Sequence, residues 1–420
     1  MKKKIGIVVQ RYGIQINGGA EVLARMLAEK LNLNYDVTVL TSRAINYHTW
    51  EPELPAGESI ENGVRVIRFE HPTRGNPAEV HQLNRKLRGR LWYQKLYRFL
   101  GKPTWYLKLV PDSEFKDNRY DEEYLSLQGP YLYDLKQYLL SEKENYTAFV
   151  FVTYLYYPSA VCMPFVAEKS IFIPTLHDEP SAHMAMFQRI IPAASWIFFL
   201  TKAEMEFSVK TYDLSKNKID VVGVGMEMPE SGLDETVLKK FDLHDQYVIY
   251  VGRIDKAKGC ETLLDYFIKY IGETKRKTKL VMVGKNMIEE IKHPQIMYTG
   301  FVSDHEKSQL MKQATLLIMP SQYESLSFVV LESFLNKVPV LANRACEVLK
   351  DHIEISNGGF SYTDYESFSK HLNNMLDNKE ETKKMAENGF EYVLSNFTWE
   401  TVLKKFDQAI DEINERNTLI

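Results

Sequence analysis

The chain has 420 residues, 45% of them hydrophobic and 26% charged, with a net charge of −4. That length exceeds what one hydrophobic core usually spans, so two or three domains are expected, with the composition of a soluble globular protein. The small negative charge excludes strong global attraction to nucleic acid. The three cysteines (Cys162, Cys260 and Cys346) are few, odd in number and without metal-like spacing, so a reducing cytosol is the simplest setting.

The start, Met1-Lys-Lys-Lys, is basic, but the apolar run at 5–9 is too short for a signal-peptide core or a membrane span and reads as a first strand. It leads into the Gly18-Gly19 loop, a helical stretch from Val22 to Leu31 and a strand from Asp36 to Leu40. Strand, glycine loop, helix and strand make the opening unit of a doubly wound α/β sheet. Paired glycines there let the backbone approach a bound group where a Cβ would block it; a plain helix-entry turn is the other use of such a pair. Further strands are expected at 64–68, 148–152, 170–174 and 194–200, with a helix opening at Thr201.

Between them, Arg85 to Lys108 carries eight Lys/Arg and no acid, interleaved with Trp92, Tyr93, Tyr97, Phe99, Trp105 and Tyr106. It reads either as a solvated helix whose aromatics pack inward or as an interfacial patch for anionic lipid or a lipid- or polymer-linked acceptor. The strand at 170–174 runs into His177-Asp178-Glu179, a polar cluster where open α/β sheets hold ligands; a histidine capping the next helix is the plainer reading. From Ile219 to Pro229 the pattern ends in glycine and proline, and the loop-rich stretch to Glu235 is expected to link two domains.

A second doubly wound unit opens with the strand 247–251, followed by Gly252-Arg253-Ile-Asp-Lys-Ala-Lys258-Gly259 and a helix from Glu261. Two cations on a glycine-bounded loop suit a diphosphate, because charge-assisted contacts stabilise the negative charge that builds as a glycosidic bond breaks. Strands at 279–283 and 295–299 end in Gly284-Lys285 and Gly300-Phe301-Val302. The apolar run Ala314 to Met319 is a strand ended by Pro320, and the spacing of Leu326, Val329, Val330 and Phe334 predicts a helix beginning near 325–327. The first N–H groups of that helix, at its positive dipole end, form a seat for phosphate. Glu324 lies outside the seat and Glu332 two turns in, a helical rise of roughly 12 Å at about 1.5 Å per residue. That is the scale of a sugar–diphosphate–ribose, one carboxylate for the sugar hydroxyls and one for the ribose. A strand at 338–342, an Asn357-Gly358-Gly359 turn and helices, the last at about 400–416, close the chain.

Four of these segments, in this order, resemble the retaining nucleotide-sugar glycosyltransferases of the GT-B group known as group 1 or family 4. They are Gly18-Gly19-Ala20-Glu21, His177-Asp178, Arg253-x4-Lys258, and Glu324-x7-Glu332 followed by Asn336-Lys-Val-Pro-Val-Leu-Ala. The family usually reads Glu-Gly-Phe-Gly after the first glutamate; here the turn is Glu324-Ser-Leu-Ser327. The resemblance covers nearly the whole chain. It implies two Rossmann-like domains facing across a cleft: 1–222, binding the acceptor with helix 400–416 packed back on it, and 223–398, binding the nucleotide sugar.

The implied reaction is front-face transfer from the donor to a glycan, lipid-linked or protein-linked acceptor. His177 and Glu324 would be catalytic and hold the sugar. Donor binding would fall to Gly18, Gly19, Arg253, Lys258, Val302, Leu326, Ser327, Phe328 and Glu332, with the two cations and the 326–328 amides at the diphosphate and Glu332 at the ribose. The chain has no Asp-x-Asp, so neither a metal nor a cofactor is expected, the nucleotide sugar being a co-substrate. Polysaccharide biosynthesis in the cytoplasm or at its membrane face is the expected setting, with peripheral membrane contact through 85–108 and no nucleic-acid partner. Two alternatives are a non-catalytic GT-B partner subunit of a glycosylation complex and a GT-B enzyme such as a sugar-nucleotide epimerase.

Overall fold

A computed structural model describes residues 2–16, 18–89, 119–179, 181–243 and 246–418. The chain divides into two compact α/β units, Met1–Gly223 with Glu400–Ile420, and Val224–Trp399.

The first unit is built on β1 (Lys4–Val8), β2 (Asp36–Ser42), β3 (Gly57–Glu61), β4 (Val64–Phe69), β5 (Ala148–Val152), β6 (Ser170–Ile173), β7 (Trp196–Phe199) and β8 (Lys218–Val221). They form one sheet in the order β3-β4-β2-β1-β5-β6-β7-β8. Pairing is parallel throughout except between β3 and β4. The central strand β5 is apolar and buried at every position, as a parallel strand covered on both faces must be. Its labelled helices are α1 (Gly19–Leu31), α2 (Pro77–Gly89), α3 (Arg119–Gln128), α4 (Tyr133–Glu142) and α5 (Lys202–Thr211). Helix α1 starts three residues before the predicted Val22, because the Gly18 carbonyl already accepts the Val22 amide at 2.8 Å. Strand β3 was not predicted. Its Gly-Glu-Ser-Ile-Glu sequence is largely exposed and has no buried face to set a pattern. Pairing with β4 holds it, with Arg65–Glu58 at 2.5 Å and Arg68–Glu61 at 2.6 Å across the two strands.

The second unit comprises β9 (Tyr247–Val251), β10 (Lys279–Val283), β11 (Ile296–Gly300), β12 (Leu317–Met319), β13 (Val340–Asn343) and β14 (Gly359–Tyr362). All pair parallel in the order β11-β10-β9-β12-β13-β14, the doubly wound order with its reversal between β9 and β12. Its labelled helices are α6 (Cys260–Thr274), α7 (Asp304–Gln313), α8 (Phe328–Leu335), α9 (Glu347–Ser356), α10 (Tyr365–Asp377) and α11 (Lys379–Asn396); the last helix, α12 (Trp399–Thr418), belongs from Glu400 onward to the first unit. Val248, Tyr250, Leu264, Phe267, Leu280, Ile318 and Leu341 fill the core between sheet and helices.

Helix α8 begins at Phe328, later than the predicted 325–327, because Ser327 takes a left-handed φ of 64° and breaks the helical run. Only 328–332 of the Glu324–Glu332 stretch is helical, a rise of about 6 Å, so the predicted 12 Å helical spacing is replaced by loop and helix together.

Helix α12 returns to the first unit. Lys405 pairs with Asp220 at 2.9 Å, Tyr35 donates to Asp407 at 2.5 Å, Lys3 pairs with Asp411 at 2.5 Å, and Phe406 lies 5.1 Å from Phe198 ring to ring. Of the basic aromatic segment 85–108, the backbone of 85–89 ends α2; the rest, with all its aromatic residues, lies outside the described residues. Among the described residues no helix is long and apolar enough to cross a membrane.

Candidate functional site

The strand order reverses between β9 and β12, and open α/β sheets hold ligands outside the carboxyl ends of such a pair. The turns after β9, β10 and β11 are tied together there: Gly252 N donates to Val283 O at 2.9 Å, Gly284 N to Gly300 O at 3.0 Å, and Ile254 N to Lys285 O at 3.0 Å. Gly284 has φ 135°, and a Cβ on it would lie 2.0 Å from the Gly252 carbonyl oxygen. Across the reversal, Gly259 (φ 74°) packs so closely on the end of β12 that a Cβ would meet the Pro320 carbonyl oxygen at 2.6 Å.

This close approach joins two predicted site residues that are 66 positions apart in the chain. Lys258 Nζ lies 2.7 Å from Glu324 Oε1, the carboxylate being the more enclosed of the two. Asp255 shapes the cationic loop: its Oδ1 accepts the Lys258 amide at 2.8 Å and its Oδ2 pairs with Arg253 Nε. Asp255 was not singled out from sequence, although its place between the two cations was the available signal.

Beyond Glu324 the loop enters α8. The Val330 amide turns back to the Ser327 carbonyl at 3.0 Å, leaving the first-turn amides of Phe328 and Val329 as donors without an intrahelical acceptor. Ser327 is buried, its Oγ has no hydrogen-bond partner, and it caps the helix without a side-chain bond. On the inner face of the helix, Glu332 Oε1 accepts from Lys307 Nζ of α7 at 2.8 Å, and its Oε2 is buried with no hydrogen-bond partner. Burial opposes the Lys307 charge, yet Glu332 and Asp304 together hold its pKa above the ordinary lysine value. Lys307 carries no sequence motif; only the packing of α7 on α8 brings it there. Val302 stands half-buried at the end of β11, three strands from β12, and its neighbour Phe301 is 71% exposed.

Three predicted residues belong to the first unit. Gly18 is required by its own fold: a Cβ there would lie 1.9 Å from Glu21 Oε2. The buried Glu21 accepts from Gln10 at 3.0 Å and from Arg11 Nε and Nη2 at 2.9 and 2.5 Å. Gly19 opens α1 with free space around its Cα, and Asn17 before them lies outside the described residues.

His177 follows β6, with Nε2 3.4 Å from Glu179 Oε2, while the Tyr154 hydroxyl donates to Glu179 Oε1 at 2.5 Å. Asp178 Oδ1 lies 2.7 Å from His183 Nε2. Two β-branched residues at adjacent strand ends, Thr153 and Thr175, hold left-handed φ values of 74° and 54° with their hydroxyls 3.3 Å apart. Such strain survives only where surrounding structure imposes it. Beneath them, the buried Glu204 carboxyl accepts the Leu176 and Leu200 amides at 2.6 and 2.7 Å; burial pushes its pKa up to about 8 against the effect of those amides. Tyr154 and Glu204 had not been picked out, and Thr201-x-x-Glu204, a helix-capping pattern, was the readable hint for the second. Among the described residues no group of three or more His, Cys, Asp or Glu side chains is arranged to hold a metal ion.

Residues 237–392 match the family described as glycosyl transferases group 1. An uncharacterized 41.2 kDa protein in the cps region of Klebsiella pneumoniae is 31% identical over 146 residues, 33% of this chain and 40% of that protein. A probable sucrose-phosphate synthase of Thermosipho melanesiensis is 24% identical over 244 residues, 53% of this chain and 55% of that protein. The matches thus span about half or less of the length of these two relatives. Among solved structures, Anabaena HepE in complex with UDP and glucose aligns over 98% of this chain and 100% of its own, with a TM-score of 0.66 at 14% identity, a likeness of fold. The chain therefore has the two-domain α/β GT-B fold, and residues 237–392 of its second unit match the glycosyl transferases group 1 family.

Proposed function

We propose that the protein transfers a sugar from a nucleoside-diphosphate sugar to an acceptor hydroxyl, with retention at the anomeric carbon and without a metal. The observation that carries this reading is the Lys258–Glu324 pair, a cation and a carboxylate 2.7 Å apart at the strand-order reversal of a group 1 domain. Beside it lie the open amides of α8 and the unpartnered Glu332 Oε2 and Ser327 Oγ. The UDP and glucose bound by the Anabaena relative support a donor of this class.

On donor binding Lys258 and Arg253 neutralise the diphosphate together with the Phe328 and Val329 amides, and Glu324, released from Lys258, accepts from the sugar hydroxyls. Glu332 Oε2 accepts from a ribose hydroxyl. The bond from the anomeric carbon to the β-phosphate oxygen breaks as the acceptor oxygen bonds the same face, and the acceptor proton passes to a departing phosphate oxygen. Acceptor binding falls to the first unit, with His177 as its catalytic candidate and a glycan, lipid-linked or protein-linked hydroxyl as the acceptor class.

A thermal-shift panel of nucleotide sugars tests the donor half, since a ligand at 100 times its Kd stabilises by about 2.7 kcal/mol. Lys258→Ala and Glu324→Ala are each expected to abolish transfer while the protein stays folded; unchanged turnover in either refutes the assignment. A non-catalytic partner subunit is the second reading, favoured by a strained serine at 327 where the family pattern has glycine. Nucleotide release with and without candidate acceptors separates the two.

A further inference from the structure

We propose that His352, backed by Tyr392, is a positioning residue that sets the orientation of the diphosphate-binding loop. This rests on the donor-site reading above. His352 lies on α9 and is 2% exposed. Its Nε2 is 2.7 Å from the Leu326 carbonyl oxygen, and its Nδ1 is 3.0 Å from the Tyr392 hydroxyl of α11. A carbonyl only accepts, so Nε2 carries the proton. Burial holds the ring neutral, pushing its pKa down to about 4, so Nδ1 accepts from the Tyr392 hydroxyl. The rings of Tyr392 and Phe397, with centroids 5.9 and 6.0 Å away, enclose the imidazole.

The consequence lies across one peptide plane. In a trans peptide the carbonyl and the following N–H point in opposite directions. Holding the Leu326 carbonyl toward His352 therefore aims the Ser327 N–H away from it, on the side of the loop opposite the imidazole. The same bond helps retain the left-handed φ of Ser327, a conformation a serine adopts only under constraint. Sequence separation hides the link, because His352 lies 26 residues beyond Leu326.

The test compares UDP, ADP and GDP, each against its own nucleoside, by calorimetry on the full chain and on His352→Phe and His352→Gln. In this proposal the Ser327 N–H so aimed joins the Phe328 and Val329 amides as a donor to the diphosphate, and loss of one oriented donor to a charged group predicts that His352→Phe weakens the bound diphosphate by about tenfold or more, with nucleoside affinity unchanged. His352→Gln, which keeps an N–H at the end of its side chain, is expected to fold and to recover most of that loss. Equal diphosphate affinity in the wild type and His352→Phe overturns the proposal, as does a parallel loss of nucleoside and diphosphate binding. If His352→Phe does not fold, a glutamine variant that folds but binds the diphosphate no better than it binds the nucleoside overturns it equally. A wild type that binds none of the three diphosphates fails the donor-site reading itself.

Discussion

Ser327→Gly isolates the strain at the entry to α8. Serine at φ 64° carries the left-handed penalty of about 1–2 kcal/mol that glycine escapes. Its buried, unpartnered Oγ adds a desolvation cost of about 1–3 kcal/mol, part of which is recovered when the hydroxyl is deleted. Against these stands the greater freedom of glycine in the unfolded chain, about 0.4–1 kcal/mol. The balance predicts a stabilisation of about 1–2 kcal/mol. For a unit of this size that corresponds to a rise in melting temperature of about 2–8 °C, read by calorimetry on the ligand-free protein. The same variant tests the hydroxyl as a ligand: if Oγ donates to the diphosphate, stability rises while nucleoside-diphosphate affinity falls. A melting temperature that stays level or drops refutes the strain argument, because it would mean that the serine side chain holds the loop.

Two further outcomes are expected. His352 is neutral in the folded state because burial outweighs the Leu326 carbonyl and the nearby Glu324 charge, with its pKa at about 4. An unfolded histidine binds a proton near pH 6.5, so stability is full above that pH and is lost as pH falls toward 4, by at most about 3 kcal/mol; urea titrations should show this slope in the wild type and its absence in His352→Gln. Gly389 lies inside α11, where alanine would gain about 1 kcal/mol in helix propensity, but a Cβ there would lie 2.3 Å from Phe334 Cδ1. The Phe334 ring is also closed in by Gly358, where a Cβ would lie 2.7 Å away. Overpacking of about 1–3 kcal/mol set against that gain of about 1 kcal/mol leaves Gly389→Ala a net cost of up to about 2 kcal/mol, and an alanine variant more stable than the wild type would show that α8 can shift.

Much of the fold was legible because its signals are local. Buried parallel strands such as 148–152 and 247–251 are continuous apolar runs, the second ended by Gly252. Strand β3 escaped notice because an exposed edge strand needs no apolar face, only a partner. The start of α8 was placed early because helical spacing of apolar residues does not register the backbone dihedrals of one serine.

The site divides in the same way. Residue types and order alone determined that the chain carries an Arg-x4-Lys loop and a Glu-x7-Glu segment after strands, because those features lie within a few residues of each other. Only the tertiary structure decided that Lys258 pairs with Glu324, that Lys307 takes one oxygen of Glu332, that Glu179 lies 3.4 Å from His177, and that His352 holds Leu326. Three of these contacts are made by groups on different elements, brought within hydrogen-bonding distance by the order in which the strands lie side by side. The Glu179 contact is local in sequence, and Tyr154 at the neighbouring strand's end donates to the other oxygen of that carboxylate. Sequence spacing encodes neighbours along one helix or loop, whereas a contact between side chains from separate elements depends on how the sheet stacks those elements, and that order appears only when the core is packed.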